Sequence, residues 1–231
     1  FNAVNLNGKA LSAKEWERVL NYLNGKSIFE SAKILRDKFV LERDDGTRPY
    51  LQLLSEDHSK NRFQVTHQTT VVGKYTNRYD VTILVNGLPL VQIELKRRGV
   101  DIKEAVNQIM RYRKHSYQGL YHFIQLFVVS NGVDTKYFAN SDRDIMYSHT
   151  FFWTDDNNIR VTNLKDFSVV FLARDLLVKM ITKFTVLNDT DKVMMVMRPY
   201  QVYATEALIR QATLTNRNAY IWHTTGAGKT L

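Results

Sequence analysis

The sequence contains no cysteine among its 231 residues, which excludes disulfide bonds and thiolate metal sites. It also lacks an apolar run of about 18 residues and a charged-then-apolar leader, so it offers neither a membrane span nor a signal segment. Internal repeats and low-complexity tracts are absent as well. These absences favour a soluble, cytoplasmic protein without a membrane partner.

The charge balance is basic, with 32 Lys and Arg against 23 Asp and Glu and a formal net charge of +9. Clustered Lys and Arg neutralise phosphates and release counterions, so a polyanionic partner, nucleic acid first, is the expectation. Composition alone leaves this open, because many basic proteins bind no polyanion. The chain begins at Phe1 rather than Met and stops at Leu231 directly after a phosphate-loop-like sequence, so we expect a fragment.

Capping boxes and hydrophobic periodicity predict the secondary structure. Ser12 with Glu15, and Ser27 with Glu30, have the spacing in which side chains satisfy the free N–H groups of a helix start. Further elements follow from the periods of 3.6 and 2, which predict strands at 63–72, 79–96, 122–131, 136–140 and 150–153, and helices at 101–117 and 164–187. This order favours an α/β domain followed by the opening of another.

The stretch YDVTILVNGLPLVQIELK (79–96) places three charges in an apolar hairpin. Side chains alternate faces along a strand, and matching the two apolar faces requires paired residue numbers with an even sum. That register puts Asp80 beside Glu94 and Lys96, and the loop Asn86-Gly87-Leu88 would provide it. Two adjacent carboxylates repel each other unless a divalent cation such as Mg²⁺ binds, and a nearby Lys can then orient water or stabilise negative charge. The alternative is a solvated Glu–Lys pair with Asp80 as a strand-start residue.

A helical pair follows the hairpin. Gln108 and Tyr112 in NQIMRY are four residues apart and therefore share one face of the helix predicted at 101–117. Asp, then Glu-x-Lys, then Gln-x-x-x-Tyr resembles the PD-(D/E)xK nuclease superfamily. Over residues 63–140 the sequence is similar to the nuclease region of the motor (R) subunit of type I restriction enzymes, including the Asn-Gly-Leu-Pro turn.

This resemblance implies a restriction-endonuclease-like domain with a central mixed β-sheet flanked by helices. It implies that Asp80 and Glu94 bind Mg²⁺, that Asp80, Glu94 and Lys96 are catalytic, and that Gln108 and Tyr112 contact DNA or support the active site. Double-stranded DNA would be the substrate. The methyltransferase (M) and specificity (S) subunits of a prokaryotic type I complex would be partners.

The segment HTTGAGKT (223–230) has the composition of a phosphate-binding loop after the strand-like AYIW. His223 stands where the strict pattern has its first Gly, and a simple Gly turn is the alternative. The segment resembles motif I of superfamily 2 helicases and translocases, and RPYQ (198–201) resembles their upstream glutamine motif. The nucleotide-binding candidates are therefore Gly226, Gly228, Lys229, Thr230 and Gln201, with ATP as the ligand.

Together these patterns predict a nuclease domain over 1–187 and the truncated start of a RecA-like P-loop domain over 188–231. The resemblance implies the activity of a type I site-specific deoxyribonuclease, which cleaves after ATP-driven translocation by the attached motor. Two alternatives remain open: a non-catalytic DNA-binding or scaffolding domain with the nuclease fold, and an accessory domain of a stand-alone superfamily 2 helicase. Metal binding by both carboxylates would discriminate the first, and downstream sequence the second.

Overall fold

The structure is a computed structural model that describes residues 5–72, 76–115, 117–226 and 228. Its helices are α1 (Ala13–Leu23), α2 (Ile28–Arg36), α3 (Ile102–His115), α4 (Leu164–Val170), α5 (Arg174–Thr182) and α6 (Pro199–Leu214). Its strands are β1 (Lys38–Val40), β2 (Tyr50–Gln52), β3 (Phe63–Val72), β4 (Thr76–Val85), β5 (Leu88–Leu95), β6 (Leu126–Ser130), β7 (Thr135–Ala139), β8 (Trp153–Thr154), β9 (Arg160–Val161), β10 (Thr185–Asn188) and β11 (Val193–Val196).

A five-stranded sheet of order β3-β4-β5-β6-β7 forms the centre of the fold. Neighbouring strands are antiparallel except β5 and β6, which are parallel. A parallel pair requires a crossover connection, and α3 lies in it. The prediction of an α/β fold with a mixed central sheet flanked by helices is confirmed.

Each face of the sheet is covered by its own hydrophobic core. One core joins the sheet to α1, α2, α4 and α5, and contains Val91, Ile93, Leu126 and Val128. The other joins it to α3, and contains Phe127, Val129 and Phe138. All residues of β6 are buried, as expected of a strand covered on both faces.

Both predicted capping boxes are present. The Ser12 hydroxyl accepts from the Glu15 N–H while Glu15 Oε2 accepts from the Ser12 N–H, and Ser27 and Glu30 repeat this arrangement. Glu15 is buried and also accepts hydrogen bonds from the Arg43 guanidinium, which lower its pKa to about 2. The caps therefore fix where α1 and α2 begin, and Arg43 ties α1 to the segment after β1.

The hairpin β4–β5 has the predicted even register, but not the predicted loop. Val81 pairs with Ile93 and Ile83 with Val91, so the numbers sum to 174, whereas Val85 pairs with Leu88, and they sum to 173. The turn is the two-residue Asn86-Gly87, with φ of 53° and 87°, because residues of positive φ suit the twist of a tight hairpin. An irregularity after Ile83 adds the extra residue. The three-residue loop was therefore wrong, and a bulge within the hairpin sets the even register.

Strand β4 rotates at Asp80. Tyr79 packs into the α3 core while Val81 packs against the opposite core, although residues two apart normally share a face. The β3–β4 ladder is interrupted at the same place, where Gln68, which lies across from Asp80, has a φ of 50°. Asp80 therefore occupies the position where the strand changes orientation.

Two further predictions were wrong. Residues 185–187, predicted as the end of a helix, belong to strand β10 (Thr185–Asn188), because that strand pairs with the apolar β11. Residues 219–222, predicted as a strand, pair with no strand in the described ranges, and Tyr220 and Trp222 are 85% and 88% exposed. A strand needs a partner for its backbone groups, and this segment belongs to no ladder of the described residues.

No helix in the ranges that the structure describes has both the length and the apolar character needed to cross a membrane.

The turn residue Gly87 offers a test of the hairpin geometry. Its φ of 87° lies in the left-handed region, so Gly87→Ala should lower the free energy of unfolding by about 1–2 kcal/mol. Gly87→Asn should lower it less, because Asn tolerates this conformation. Chemical denaturation measures both changes, and equal stability of Gly87→Ala and the wild type would contradict the turn.

Candidate functional site

Asp80, Glu94 and Lys96 lie together at the end of β5. The Lys96 ammonium donates to Glu94 Oε1 over 3.1 Å, and the Leu95 N–H donates to Asp80 Oδ2 over 2.8 Å. The Asp80 carboxylate therefore spans from β4 to the neighbouring strand and faces Glu94. Three residues singled out in the sequence are brought together by the hairpin register and by the rotation of β4.

Glu94 is a carboxylate in an unfavourable environment. Only 1% of the residue is exposed, and its pKa is raised to about 7. Burial is the largest cause, the charge of Asp80 adds to it, and the hydrogen bond from Lys96 opposes both. Its Oε2 atom is buried and has no hydrogen-bond partner among the described residues. A buried oxygen of this kind costs free energy unless a ligand satisfies it.

A chain of hydrogen bonds holds Lys96. Its ammonium also donates to Gln108 Oε1, and Gln108 Nε2 donates to the Tyr112 hydroxyl. That hydroxyl donates in turn to the Arg78 carbonyl over 3.3 Å. The predicted helical pair therefore connects Lys96 to the backbone of β4.

A cluster of tyrosines packs around Tyr112, whose hydroxyl is the last side-chain group in this series of hydrogen bonds. The Tyr79 ring is fully buried and meets the rings of Tyr112, Tyr117 and Tyr121 edge-on, each with centroids 5.1 Å apart. Edge-to-face contacts of this kind add stability beyond area burial. Tyr79 thus binds β4 to α3 at the residue before Asp80.

The donor set fits a divalent cation that prefers oxygen. Asp80 and Glu94 supply carboxylates, and Glu94 Oε2 has no other partner among the described residues. Mg²⁺ binds one or two carboxylates and keeps several waters, so a larger protein cage is not needed. Within the described ranges no group of three or more His, Asp or Glu is arranged to hold a metal, and so these two carboxylates are the candidates.

A cleft of about 530 Å³ opens beside Lys96. One wall comes from Lys96 and Arg97, and the other from the polar side of α3, including Gln108 and Arg111. Glu104 also lines the cleft and is the acidic residue of its walls. The cleft gives a ligand direct access to Lys96.

The nucleotide-binding candidates lie at the other end of the chain. Gln201 Nε2 donates to the Gly228 carbonyl over 3.0 Å, and Gln201 Oε1 accepts from the Arg198 N–H over 2.8 Å. A cleft of about 390 Å³ beside them is lined by Gln201, Gly228, His223 and apolar residues that include Met195 and Leu208. Gly226 has a φ of 77°. Lys229 and Thr230 lie outside the described residues.

Sequence reasoning left two residues of the site aside. Gln92 is fully buried on β5, and its Oε1 accepts from the Thr82 hydroxyl over 2.7 Å. A polar residue between apolar ones in a central strand was its only signal. Tyr79 gave no signal beyond its place before Asp80, because only the folded chain brings the tyrosines together.

Comparison with protein families gives two matches. The family described as type I restriction enzyme R protein N terminus matches residues 1–144. The family described as type III restriction enzyme, res subunit, matches residues 194–231. The first match contains Asp80, Glu94, Lys96, Gln108 and Tyr112, and the second contains Gln201 and the glycine-rich segment.

Similar curated proteins carry type I restriction enzyme names. The SsaAORF53P endonuclease subunit of Staphylococcus saprophyticus is 57% identical over 231 residues, which is 100% of this chain and 25% of that protein. The SauMSSORF170P endonuclease subunit of Staphylococcus aureus is 55% identical with the same coverage. The EcoprrI endonuclease subunit of Escherichia coli is 41% identical over 216 residues, which is 89% of this chain and 69% of that protein.

The chain spans a quarter of the length of the two staphylococcal relatives. The match over 1–144 covers more than half of the chain, and the Escherichia coli relative is similar along most of its own length. The chain therefore belongs to the family of type I restriction enzyme R subunits, and carries the N-terminal region of that family.

Proposed function

We propose that the chain is a Mg²⁺-dependent endonuclease domain of the PD-(D/E)xK type that cleaves double-stranded DNA. The observation that carries this is Glu94, whose buried Oε2 atom lacks a partner among the described residues and lies beside a second carboxylate and a lysine. A structural ion pair would satisfy both oxygens of a buried carboxylate. A metal site has a reason to leave one open.

Asp80 and Glu94 would hold the ion. When bound, Mg²⁺ supplies a Lewis acid for the scissile phosphodiester and lowers the pKa of a coordinated water. The Lys96 ammonium is held at the same carboxylate by Gln108, so its position is fixed before substrate enters. There it can orient the attacking water or stabilise the charge that develops on the phosphate.

Gln108 and Tyr112 act in this proposal as positioning residues and not as groups that touch DNA. Only 8% of Tyr112 is exposed, and its hydroxyl lies between Gln108 and the Arg78 carbonyl. This burial leaves the tyrosine little surface to offer a macromolecule. The pair instead limits the conformations of Lys96, which would otherwise be a flexible side chain.

The C-terminal segment completes the proposal. Residues 1–187 form the nuclease domain, and 188–231 begin a superfamily 2 motor domain that binds ATP through Gln201, Gly226, Gly228, Lys229 and Thr230. The glutamine beside the glycine-rich segment supports this assignment. In the complete cytoplasmic enzyme, ATP-driven translocation would precede cleavage, and the M and S subunits would be partners.

Removing the metal site should separate cleavage from ATP hydrolysis. In the complete enzyme, Asp80→Ala, Glu94→Ala and Lys96→Ala should each lower double-strand cleavage by about 10³-fold or more, because each variant lacks either an ion ligand or the group that stabilises charge. ATP turnover should persist. Glu42→Ala removes an exposed carboxylate elsewhere and is the control. Cleavage at the wild-type rate in the three site variants would refute the nuclease assignment.

The hydrogen-bond chain from Lys96 through Gln108 to Tyr112 gives a second test. Tyr112→Phe removes one hydroxyl, and should lower kcat for cleavage about tenfold while leaving KM and Mn²⁺ affinity unchanged, because the hydroxyl contributes about 1.4 kcal/mol of positioning. Tyr50→Phe changes an exposed tyrosine in the same way and serves as control. A raised KM with an unchanged kcat would instead assign Tyr112 to DNA binding.

The motor assignment depends on Lys229. Lys229→Ala should abolish ATP hydrolysis and translocation in the complete enzyme, because the phosphate-loop lysine neutralises the β- and γ-phosphates. Glu94→Ala should hydrolyse ATP normally in the same assay. Unchanged ATP turnover in Lys229→Ala would contradict the nucleotide-binding site.

A further inference from the structure

Acidic residues are scarce between positions 58 and 100 of the sequence. Between Asp57 and Asp101 the only acids are Asp80 and Glu94, whereas the whole chain has 23 Asp and Glu in 231 residues. The same interval holds Lys and Arg residues on both sides of the two carboxylates. The surface formed by this interval is therefore positive apart from the two carboxylates of the candidate metal site.

Strands β3 and β4 extend beyond the rest of the sheet as a two-stranded ribbon. Strand β4 pairs with β5 only from Val81 onward, while its pairing with β3 continues to Thr76 opposite Val72. Most of β3 is exposed along both alternating sets of side chains. The polar, exposed residues of the ribbon include Gln68, Thr70, Thr76 and Arg78.

The ribbon lies at the edge of the sheet, and its base is anchored beside Asp80. Strand β3 is the outer strand of the sheet, so the backbone groups on its free side have no strand to pair with in the described ranges. Tyr79 anchors the base of the ribbon to α3 through the tyrosine cluster. The next residue is Asp80, so a ligand lying along the ribbon would reach the candidate metal site.

Four exposed arginines near this site form no ion pair with a described residue, unlike other arginines of the chain. Arg18, Arg43, Arg48 and Arg143 form ion pairs with carboxylates. The side chains that form no hydrogen bond or ion pair with described residues, although they are exposed, include Arg78 on the ribbon, Arg97 and Arg98 after β5, and Arg111 on α3.

An arginine that no carboxylate holds in an ion pair keeps more of its attraction for a polyanion, and Glu104 is the one carboxylate among the described residues that line the cleft with Arg97 and Arg111. Phosphate oxygens accept from guanidinium, hydroxyl and backbone N–H donors, all of which this surface presents. Arg97 and Arg111 line the 530 Å³ cleft next to Lys96, and the ribbon joins the rest of the sheet at Asp80. A duplex placed over the carboxylates would therefore meet donors on both sides.

We propose that duplex DNA lies across this surface, with the β3–β4 ribbon and the cleft walls at Arg97 and Arg111 holding the backbone phosphates that flank the scissile bond. This rests on the proposed nuclease function and adds the element that holds its substrate. The protein groups bind phosphate and sugar, so this binding is independent of base sequence.

Charge changes in the complete enzyme test the surface. Arg97→Gln/Arg111→Gln should lower double-strand cleavage about tenfold or more at moderate salt, and should reduce the slope of log rate against log salt by about one for each phosphate that the variant no longer neutralises. Thr70→Glu should also lower cleavage, whereas Thr70→Gln, which has the same side-chain length without the charge, should not.

The double variant Lys14→Gln/Arg48→Gln removes the same charge from exposed positions outside this surface and is the matched control. Mn²⁺ affinity and ATP turnover should stay at wild-type values in all these variants, which shows that the metal site and the fold are intact. Wild-type cleavage and salt slope in Arg97→Gln/Arg111→Gln and Thr70→Glu would overturn the proposal. Failure of the nuclease function is a different result, because Asp80→Ala and Glu94→Ala would then still cleave DNA.

Discussion

The burial of Glu94 next to Asp80 is the constraint on which the site depends. Two carboxylates this close raise the free energy of the folded chain, because burial disfavours charge and like charges repel. The Lys96 ammonium offsets part of that cost through Glu94 Oε1, and leaves Oε2 unsatisfied among the described residues. A fold retains such an arrangement when a ligand completes it, and a divalent cation matches the charge and the oxygen donors.

The backbone produces this arrangement by departing from regular strand geometry at two points. The tight Asn86-Gly87 turn gives an odd register, and the irregularity after Ile83 restores the even register that places β4 correctly against Glu94. The rotation at Asp80 then lets Tyr79 enter the α3 core while Asp80 accepts from the Leu95 N–H. The tyrosine cluster packs β4 against α3. It therefore fixes the position of the carboxylates relative to the hydrogen-bond chain from Lys96 through Gln108 to Tyr112.

Much of this could be predicted from the sequence because it follows from local rules. Capping boxes located α1 and α2, alternation located the hairpin, and the four-residue spacing of Gln108 and Tyr112 put them on one helical face. The loop was mispredicted because matching the apolar faces requires only that paired residue numbers have an even sum. That condition does not say whether the extra residue lies in the turn or in a bulge within the strands. Residues 219–222 were mispredicted because an apolar run predicts a strand only where a neighbouring strand exists to pair with it. The ribbon, and the grouping around the site of arginines that form no ion pair with described residues, follow from tertiary structure, which no local pattern contains.

The location of a bound metal ion tests the central claim most directly. Crystals soaked in Mn²⁺ can be examined by anomalous scattering, which places the ion independently of its ligands. We expect a peak between Asp80 and Glu94, about 2.2 Å from Glu94 Oε2. At saturating Mn²⁺, the absence of a peak there, with Glu94 Oε2 bonded to another protein group, would contradict the account.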